Sequence, residues 1–422
     1  MVGGSAPEKL GLTCYLTRFT WHSVTFSLSF ICNFNTMSLT NVSLKTKDLS
    51  LYVENDKGLL FNHTSCCLYN LPAISVFTVL LIDEGLSKDK VLITLKEKSD
   101  LHIKELFSLY WTILDMLALQ GIKLSYADGQ YPELYTLNTK SKSTLLQKTN
   151  NTYQVAGATF SIFAHTELLQ DITALLAPRI QQLKSVDFEI LITQEAELYC
   201  IYSNRILIEQ CTKYLEVIPL IIDRLQILAF QKSDYTFCFH GAALSTPSGN
   251  LLLPGESGAG KSTLSAFLVD KDHRLYSDEI IALNDNFEIK VIPLPIAIKS
   301  GSWQIVAEKY PLLAQAKIWH RLDGRQLKYL WPTSFAEASL HTGNKTVLIH
   351  PQYSDKKRVD AKVTKLSVID TISLLTASGY QLGFELNIEK LEKFIAFIQQ
   401  STNFRIDYNN SEQVTKVLGS IC

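Results

Sequence analysis

The sequence lacks a charge bias. Its 40 Lys and Arg oppose 41 Asp and Glu, a formal net charge of −1 over 422 residues. No global field therefore recommends nucleic acid or an anionic membrane as a partner. Long apolar runs are missing too. The early apolar stretch 19–34 is broken by His22, several Ser and Thr, and Asn33. It is too short and too polar to cross a bilayer, and no clear small-residue cleavage site marks it as a signal peptide. The eight cysteines, Cys14, Cys32, Cys66, Cys67, Cys200, Cys211, Cys238 and Cys422, form no CxxC and no Cys/His ligand set. Neither a zinc module nor a disulfide framework is signalled, and a cytoplasmic setting is expected. Internal repeats and low-complexity tracts are absent from the reading. What is present is 46% hydrophobic and 19% charged residues, ample material for burial. A chain of this length exceeds one ordinary core, so two or three domains are expected.

The most informative stretch is Gly255-Glu256-Ser257-Gly258-Ala259-Gly260-Lys261-Ser262, a complete GxxxxGK[ST] loop. It follows the apolar run 250–254 and opens onto Thr263-Leu264-Ser265-Ala266-Phe267-Leu268. A buried strand, a glycine turn and an amphipathic helix are the context in which this pattern cradles phosphate. Glycines let successive N–H groups turn around an anion, and the helix N-terminus adds partial positive charge. Lys261 is expected to reach the β- and γ-phosphates of ATP, and the Ser262 hydroxyl to bind Mg²⁺.

Shortly downstream comes His273-Arg274-Leu275-Tyr276-Ser277-Asp278-Glu279-Ile280. Carboxylates at a strand end near a phosphate loop are what a Mg²⁺–nucleotide site requires. One of Asp278 and Glu279 can hold the metal while the other accepts a proton from an attacking hydroxyl. An ATP-binding-cassette protein would share the loop but place its metal carboxylate far downstream, after an LSGGQ-type signature that is missing here. Lys299, His320, Arg321 and Arg325 are further candidates for phosphate or acceptor contacts, with Lys299 ranked first.

These residues resemble the kinase domain of HPr kinase/phosphorylase, whose nucleotide fold is similar to that of phosphoenolpyruvate carboxykinase. His240-Gly241 looks like the family's active-site His-Gly, Gly255–Thr263 matches its loop, and 275–279 looks like its Leu-Val-Ala-Asp-Asp. The resemblance implies catalytic roles for His240, Asp278 and Glu279. Two departures stand out: Glu279 replaces the second aspartate, and Thr263 replaces the glutamate after the loop serine. The family's Asn-Leu-Gly signature for phosphorolysis and HPr docking is not visible. The divergent HPr-kinase-related proteins are more similar, with a Pro-x-x-x-x-Lys stretch that Pro295 to Lys299 resembles with three intervening residues. The likeness covers about residues 153–380, densely over 238–300.

The first 40 residues read as an unstructured extension. Residues 41–126 pattern as a hairpin (49–53 and 58–62) followed by three helices (64–71, one begun by Ser87, and one through Leu106 and Leu117 ended by Gly121). This winged-helix-like module resembles PqqD-like peptide-recognition domains, which implies that a leader peptide adds as a strand to the hairpin. The hairpin edge has no evident partner within so short a module. Residues 127–152 read as a polar linker. Residues 153–422 form the ATP-binding domain, with an α+β part (153–232) and a nucleotide core (233–422).

The expectation is therefore an α/β protein: a phosphate-loop kinase domain preceded by a small α+β domain. It would transfer phosphate from ATP, with Mg²⁺, to a hydroxyl, such as a Ser or Thr of a recruited peptide. A small-metabolite kinase and a nucleotide-binding switch without transfer are the alternatives. Nucleic acid and membrane are not expected as partners, and the oligomeric state is left open.

Overall fold

A four-stranded antiparallel meander and three helices form the first region. Its strands are β1 (Thr40–Val42), β2 (Leu49–Glu54), β3 (Lys57–Asn62) and β4 (Cys67–Pro72), in that order across the sheet. The helices are α1 (Ala73–Asp83), α2 (Lys88–Lys98) and α3 (Ile103–Leu117). The computed structural model of the chain describes residues 38–117, 147–232, 235–270, 272–336, 338, 345–354, 360–377 and 386–421. The extension up to residue 37, the helix end at Gly121 and most of the expected linker lie outside these residues.

Two expectations for this region are corrected. Residues 64–71 are not a helix. The Asn62 side chain accepts from the N–H groups of Thr64 and Ser65 at 3.0 and 3.1 Å, an Asx turn that starts a hairpin. The chain then returns as β4, paired with β3 from Asn62↔Cys67 to Lys57↔Pro72. The helix begins after Pro72, where an almost wholly apolar sequence packs on the sheet. The β2–β3 hairpin also has no open edge, because β1 covers β2 and β4 covers β3. Strand addition there would have to use β1 or β4. Leu51, Leu60, Val76, Leu95, Leu106 and Ile113 anchor the core.

The chain divides into two compact units, residues 1–127 with 385–392, and 128–384 with 393–422. The second is mixed α/β. It opens with β5 (Gln147–Val155), so 147–152 belong to a strand rather than a linker. Strand β5 pairs with β6 (Ala158–Ala164) as a hairpin. Its turn at 156–157 puts Ala156 at a φ of 49°, the left-handed geometry of a type I′ connection. There follow α4 (Thr166–Leu175), β7 (Ile180–Gln181), β8 (Phe188–Glu195), β9 (Leu198–Ser203), β10 (Ile206–Cys211) and α5 (Tyr214–Lys232). The sheet order is β10-β9-β8-β6-β5-β7. Its apolar face and α5 share a core with Ile280, Ile292, Trp319 and Leu327. The α+β part and the nucleotide core are thus packed together, not strung apart.

The core itself runs β11 (Phe237–Thr246), β12 (Gly249–Pro254), α6 (Lys261–Leu268), β13 (Leu275–Ser277), β14 (Ile280–Leu283), β15 (Ile296–Lys299), α7 (Trp303–Lys309), β16 (Trp319–His320), β17 (Gln326–Leu330), β18 (Thr346–Tyr353), β19 (Lys362–Lys365), α8 (Val368–Ala377), α9 (Ile388–Gln400), β20 (Thr402–Tyr408) and α10 (Ser411–Ile421). One sheet is ordered β13-β11-β12-β18-β20-β19, with β14 also on β11, and a smaller one is ordered β15-β17-β16. Strands β12, β18 and β20 are parallel. All six residues of β12 are buried, which is why they read as a continuous apolar run. Among the described residues no helix is long and apolar enough to cross a membrane.

Candidate nucleotide site

Strand β11 brings the motifs together. Running antiparallel to its neighbours, it sets Gly241 opposite Pro254 on one side. On the other it sets His240 opposite Ile280, and Ala243 opposite Ser277. The loop after Pro254 and the turn carrying Asp278 and Glu279 therefore flank one dipeptide, His240-Gly241. The backbone stitches this: Gly241 N–H donates to Glu279 O and Gly255 N–H to His240 O, both at 3.1 Å. A Cβ at Gly241 would fall 2.7 Å from Leu253 O and 2.8 Å from Pro254 Cα, so the close strand approach requires glycine.

The loop is curled around its own lysine. Lys261 Nζ donates to Gly255 O and Glu256 O at 2.8 Å each. Burial holds its pKa down to about 8, against the pull of Glu279 and Asp278. Gly260 takes a φ of 87°, and a Cβ there would come 2.2 Å from the Tyr408 hydroxyl oxygen. That hydroxyl, at the end of β20, donates to Ala259 O at 3.2 Å. Thr263, on the first turn of α6, donates to Ser302 Oγ at 2.7 Å.

The turn between β13 and β14 is built differently. Ser277 Oγ donates to Ile280 O at 2.6 Å, and Glu279 sits between them at a φ of 84°, a conformation that costs a non-glycine residue about 1 kcal/mol or more. Asp278 is buried beside it, and its Oδ1 has no hydrogen-bond partner among the described residues. The Ser262 hydroxyl beside it favours its charged form. Burial pushes the Asp278 pKa up to about 7, with the Glu279 charge adding and Ser262 and Lys261 opposing. His240 is moved the other way, down to about 4, first by burial and then by the Lys261 charge. Its imidazole is therefore neutral at neutral pH.

The candidate cations divide. Lys299 Nζ and Arg325 Nη1 both donate to Ser257 Oγ, at 3.1 and 3.2 Å. Arg321 reaches Glu279 Oε1 at 3.5 Å and Asp223 Oδ2 at 3.7 Å. His320 is directed elsewhere, its Nε2 lying 3.4 Å from Gln326 Nε2. Two residues of this neighbourhood escape the sequence reading. Asp223 lies on α5, where burial raises its pKa to about 6; an acid directly after Leu220-Ile221-Ile222 was the available signal. Tyr408 carries none, because its position depends on the order of strands in the sheet.

A Mg²⁺ ion suits these residues. Magnesium keeps several waters and takes one or two carboxylates besides phosphate oxygens, so a closed protein ligand set is not required. Among the described residues no group of three or more His, Cys, Asp or Glu forms one. A buried carboxylate oxygen without a partner among the described residues, close to a loop hydroxyl, supplies what such an ion needs. No protein-family model matches the chain, and no curated protein matches it.

Proposed function

We propose that this chain is an ATP-dependent kinase with a nucleotide fold of the HPr kinase/phosphoenolpyruvate carboxykinase type, acting on a hydroxyl acceptor. The observation that carries the reading is Asp278: a buried carboxylate with one oxygen orphaned, beside the hydroxyl that follows the loop lysine. Burying such a group unpaired is costly, and a site that meets a cation there explains its retention.

In this reading the loop N–H groups and Lys261 bind the phosphate chain of ATP, the lysine exchanging its two carbonyl partners for phosphate oxygens. Ser262 and Asp278 would hold Mg²⁺, which when bound neutralises charge on the phosphates. Glu279 takes the proton of the acceptor hydroxyl as its oxygen bonds to the γ-phosphorus and the bond to the β–γ bridging oxygen breaks, leaving ADP. Arg321 orients the Glu279 carboxylate. His240, neutral and backbone-linked to the loop, fixes the loop's entry rather than carrying charge. The acceptor class proposed is a Ser or Thr hydroxyl of a peptide, for which the sheet of the first unit, with β1 and β4 as its outer strands, is the candidate recognition surface.

The test is binding of Mg²⁺-ADP and Mg²⁺-ATP by titration calorimetry, followed by labelled-ATP transfer to peptides and to small hydroxyl metabolites. Lys261→Ala should abolish nucleotide binding in a protein that still unfolds cooperatively. Unchanged affinity in that variant would end the phosphate-loop assignment. Binding and hydrolysis without transfer to any acceptor would favour a nucleotide switch.

A further inference from the structure

The tip of the loop carries a feature that nucleotide binding by Lys261 and metal binding by Asp278 leave unused. Ser257 is exposed, the third residue of the loop, and its single hydroxyl oxygen takes hydrogen bonds from two cations, Lys299 Nζ at 3.1 Å and Arg325 Nη1 at 3.2 Å. Neither comes from the loop's own sheet. Lys299 ends β15 and Arg325 immediately precedes β17; the pairing of Lys299 with Leu327 puts both at the same end of the small sheet. Arg325 is further fixed by the tight turn between β16 and β17, where Arg321 N–H donates to Arg325 O at 2.9 Å. Its Nε donates to Asp323 Oδ2 at 2.8 Å, which leaves the Nη1 edge for Ser257.

Two like charges meeting on one neutral hydroxyl repel each other. Lys299 bears the mark of this: burial lowers its pKa, Glu279 opposes, and Arg325 and Arg321 lower it further. Arg325 is ion-paired with Asp323, but the hydroxyl brings no charge to meet Lys299; an anion brings one, through charge-assisted hydrogen bonds. The position specifies which anion. Lys261 lies at the inner curl, against Gly255 and Glu256, whereas Ser257 is at the outer lip. A phosphate chain running outward from the helix N-terminus would end there.

We propose that Lys299 and Arg325 form a clamp, carried on the β15–β17 sheet, for the terminal phosphate of a bound nucleoside triphosphate. The inference rests on the nucleotide reading of the loop and adds to it a pair of residues that tell triphosphate from diphosphate. The clamp's cations leave Ser257 Oγ for the γ-phosphate oxygens and stay with that group as its charge spreads in transfer. An arginine supplied from the same chain is a known solution to that electrostatic problem.

The experiment compares the affinities of Mg²⁺-ADP and of a non-hydrolysable ATP analogue for the full chain. The proteins are wild type, Lys299→Ala, Arg325→Ala, Arg325→Gln and Lys261→Ala, each checked for cooperative unfolding. Each clamp variant should bind the analogue about tenfold to a hundredfold more weakly, the range for loss of a hydrogen bond to a charged group. ADP affinity should change less than about twofold on the same scale. Equal weakening of both nucleotides would overturn the clamp, since it would place these cations on the inner phosphates. Unchanged affinity for both, with a raised KM for the acceptor, would also overturn it and assign the cations to an acceptor anion. If wild type binds neither nucleotide and Lys261→Ala changes nothing, the loop reading fails and the clamp fails with it. Loss of both nucleotides in Lys261→Ala alone keeps the two outcomes apart.

Discussion

The phosphate loop and the carboxylate turn flank the same dipeptide, yet they are stabilised in opposite ways. In the loop the lysine and the carbonyls around it are paired. Lys261 has two carbonyls, the Ala259 carbonyl has the Tyr408 hydroxyl, and the left-handed position is a glycine. In the turn a glutamate occupies the left-handed position and a buried aspartate keeps one oxygen unpaired. On the proposed reading, the loop is a preformed receptor. The turn stores unfavourable energy that a bound cation would release, which is how strained residues at functional sites ordinarily persist. Substitutions in the turn should then damage activity while relieving the protein, and substitutions beneath the loop should do neither strongly.

Asp278→Asn gives the largest expected effect. It keeps the shape and the hydrogen-bonding capacity toward Ser262 but removes the charge that would face the metal. Phosphoryl transfer should fall about a thousandfold, roughly 4 kcal/mol of barrier, measured as kcat with saturating Mg²⁺-ATP. A variant with near-normal rates would place the metal carboxylate elsewhere and dissolve the contrast between the two segments.

The same substitution should stabilise the metal-free protein, and the pH dependence gives the sign. The folded pKa of Asp278 is raised to about 7 from its ordinary 3.8. The stability this group contributes is therefore fully present below pH 3.8 and is lost as pH rises through about 7. Unfolding with chelator present should show the difference between Asp278→Asn and wild type growing from pH 5 to pH 8. After a discount for relaxation of the buried site, it should reach on the order of 2 kcal/mol in favour of the variant. His240 and Asp223 also titrate away from their ordinary values, but the substitution leaves the causes of their shifts in place; Lys261 loses the support of the Asp278 charge. A difference that is flat with pH would mean that Asp278 stays solvated, and the turn would then store nothing.

The loop was legible in the sequence because its chemistry is contiguous: eight residues, one strand before and one helix after. The carboxylates were singled out by their strand-end position near the loop and His240 through a resemblance, but their proximity is a property of the β11 register, which no local pattern encodes. The mistaken helix at 64–71 has a related cause. Asn62 decides that segment through a side-chain hydrogen bond, and apolar spacing is blind to it. The mistaken open hairpin edge followed directly, since β4 was hidden inside the supposed helix. Lys299, Arg325, Asp223 and Tyr408 each reach the site from a separate element. Lys299 and Arg325 could be named as candidates because they are cations downstream of the loop, but not placed on one hydroxyl.

Tyr408 sharpens the comparison from the loop side with the smallest effect. Its ring is buried against Tyr353, with centroids 5.8 Å apart and nearly perpendicular, and its hydroxyl donates to Ala259 O. A trans peptide sets the Gly260 N–H opposite the Ala259 carbonyl. Holding that carbonyl against β20 therefore points the N–H away from the sheet, free for an anion. Tyr408→Phe deletes only the hydroxyl, leaving the ring contacts and a carbonyl that can still rotate to find water. One such hydrogen bond contributes about 1 kcal/mol, so ADP affinity should weaken about fivefold while the unfolding midpoint of the ligand-free protein hardly moves. A purely structural tyrosine would give the reverse, a lower midpoint with ADP affinity unchanged. If both fell together, the loop would be no more preformed than the turn, and the distinction between receptor and reservoir would be lost.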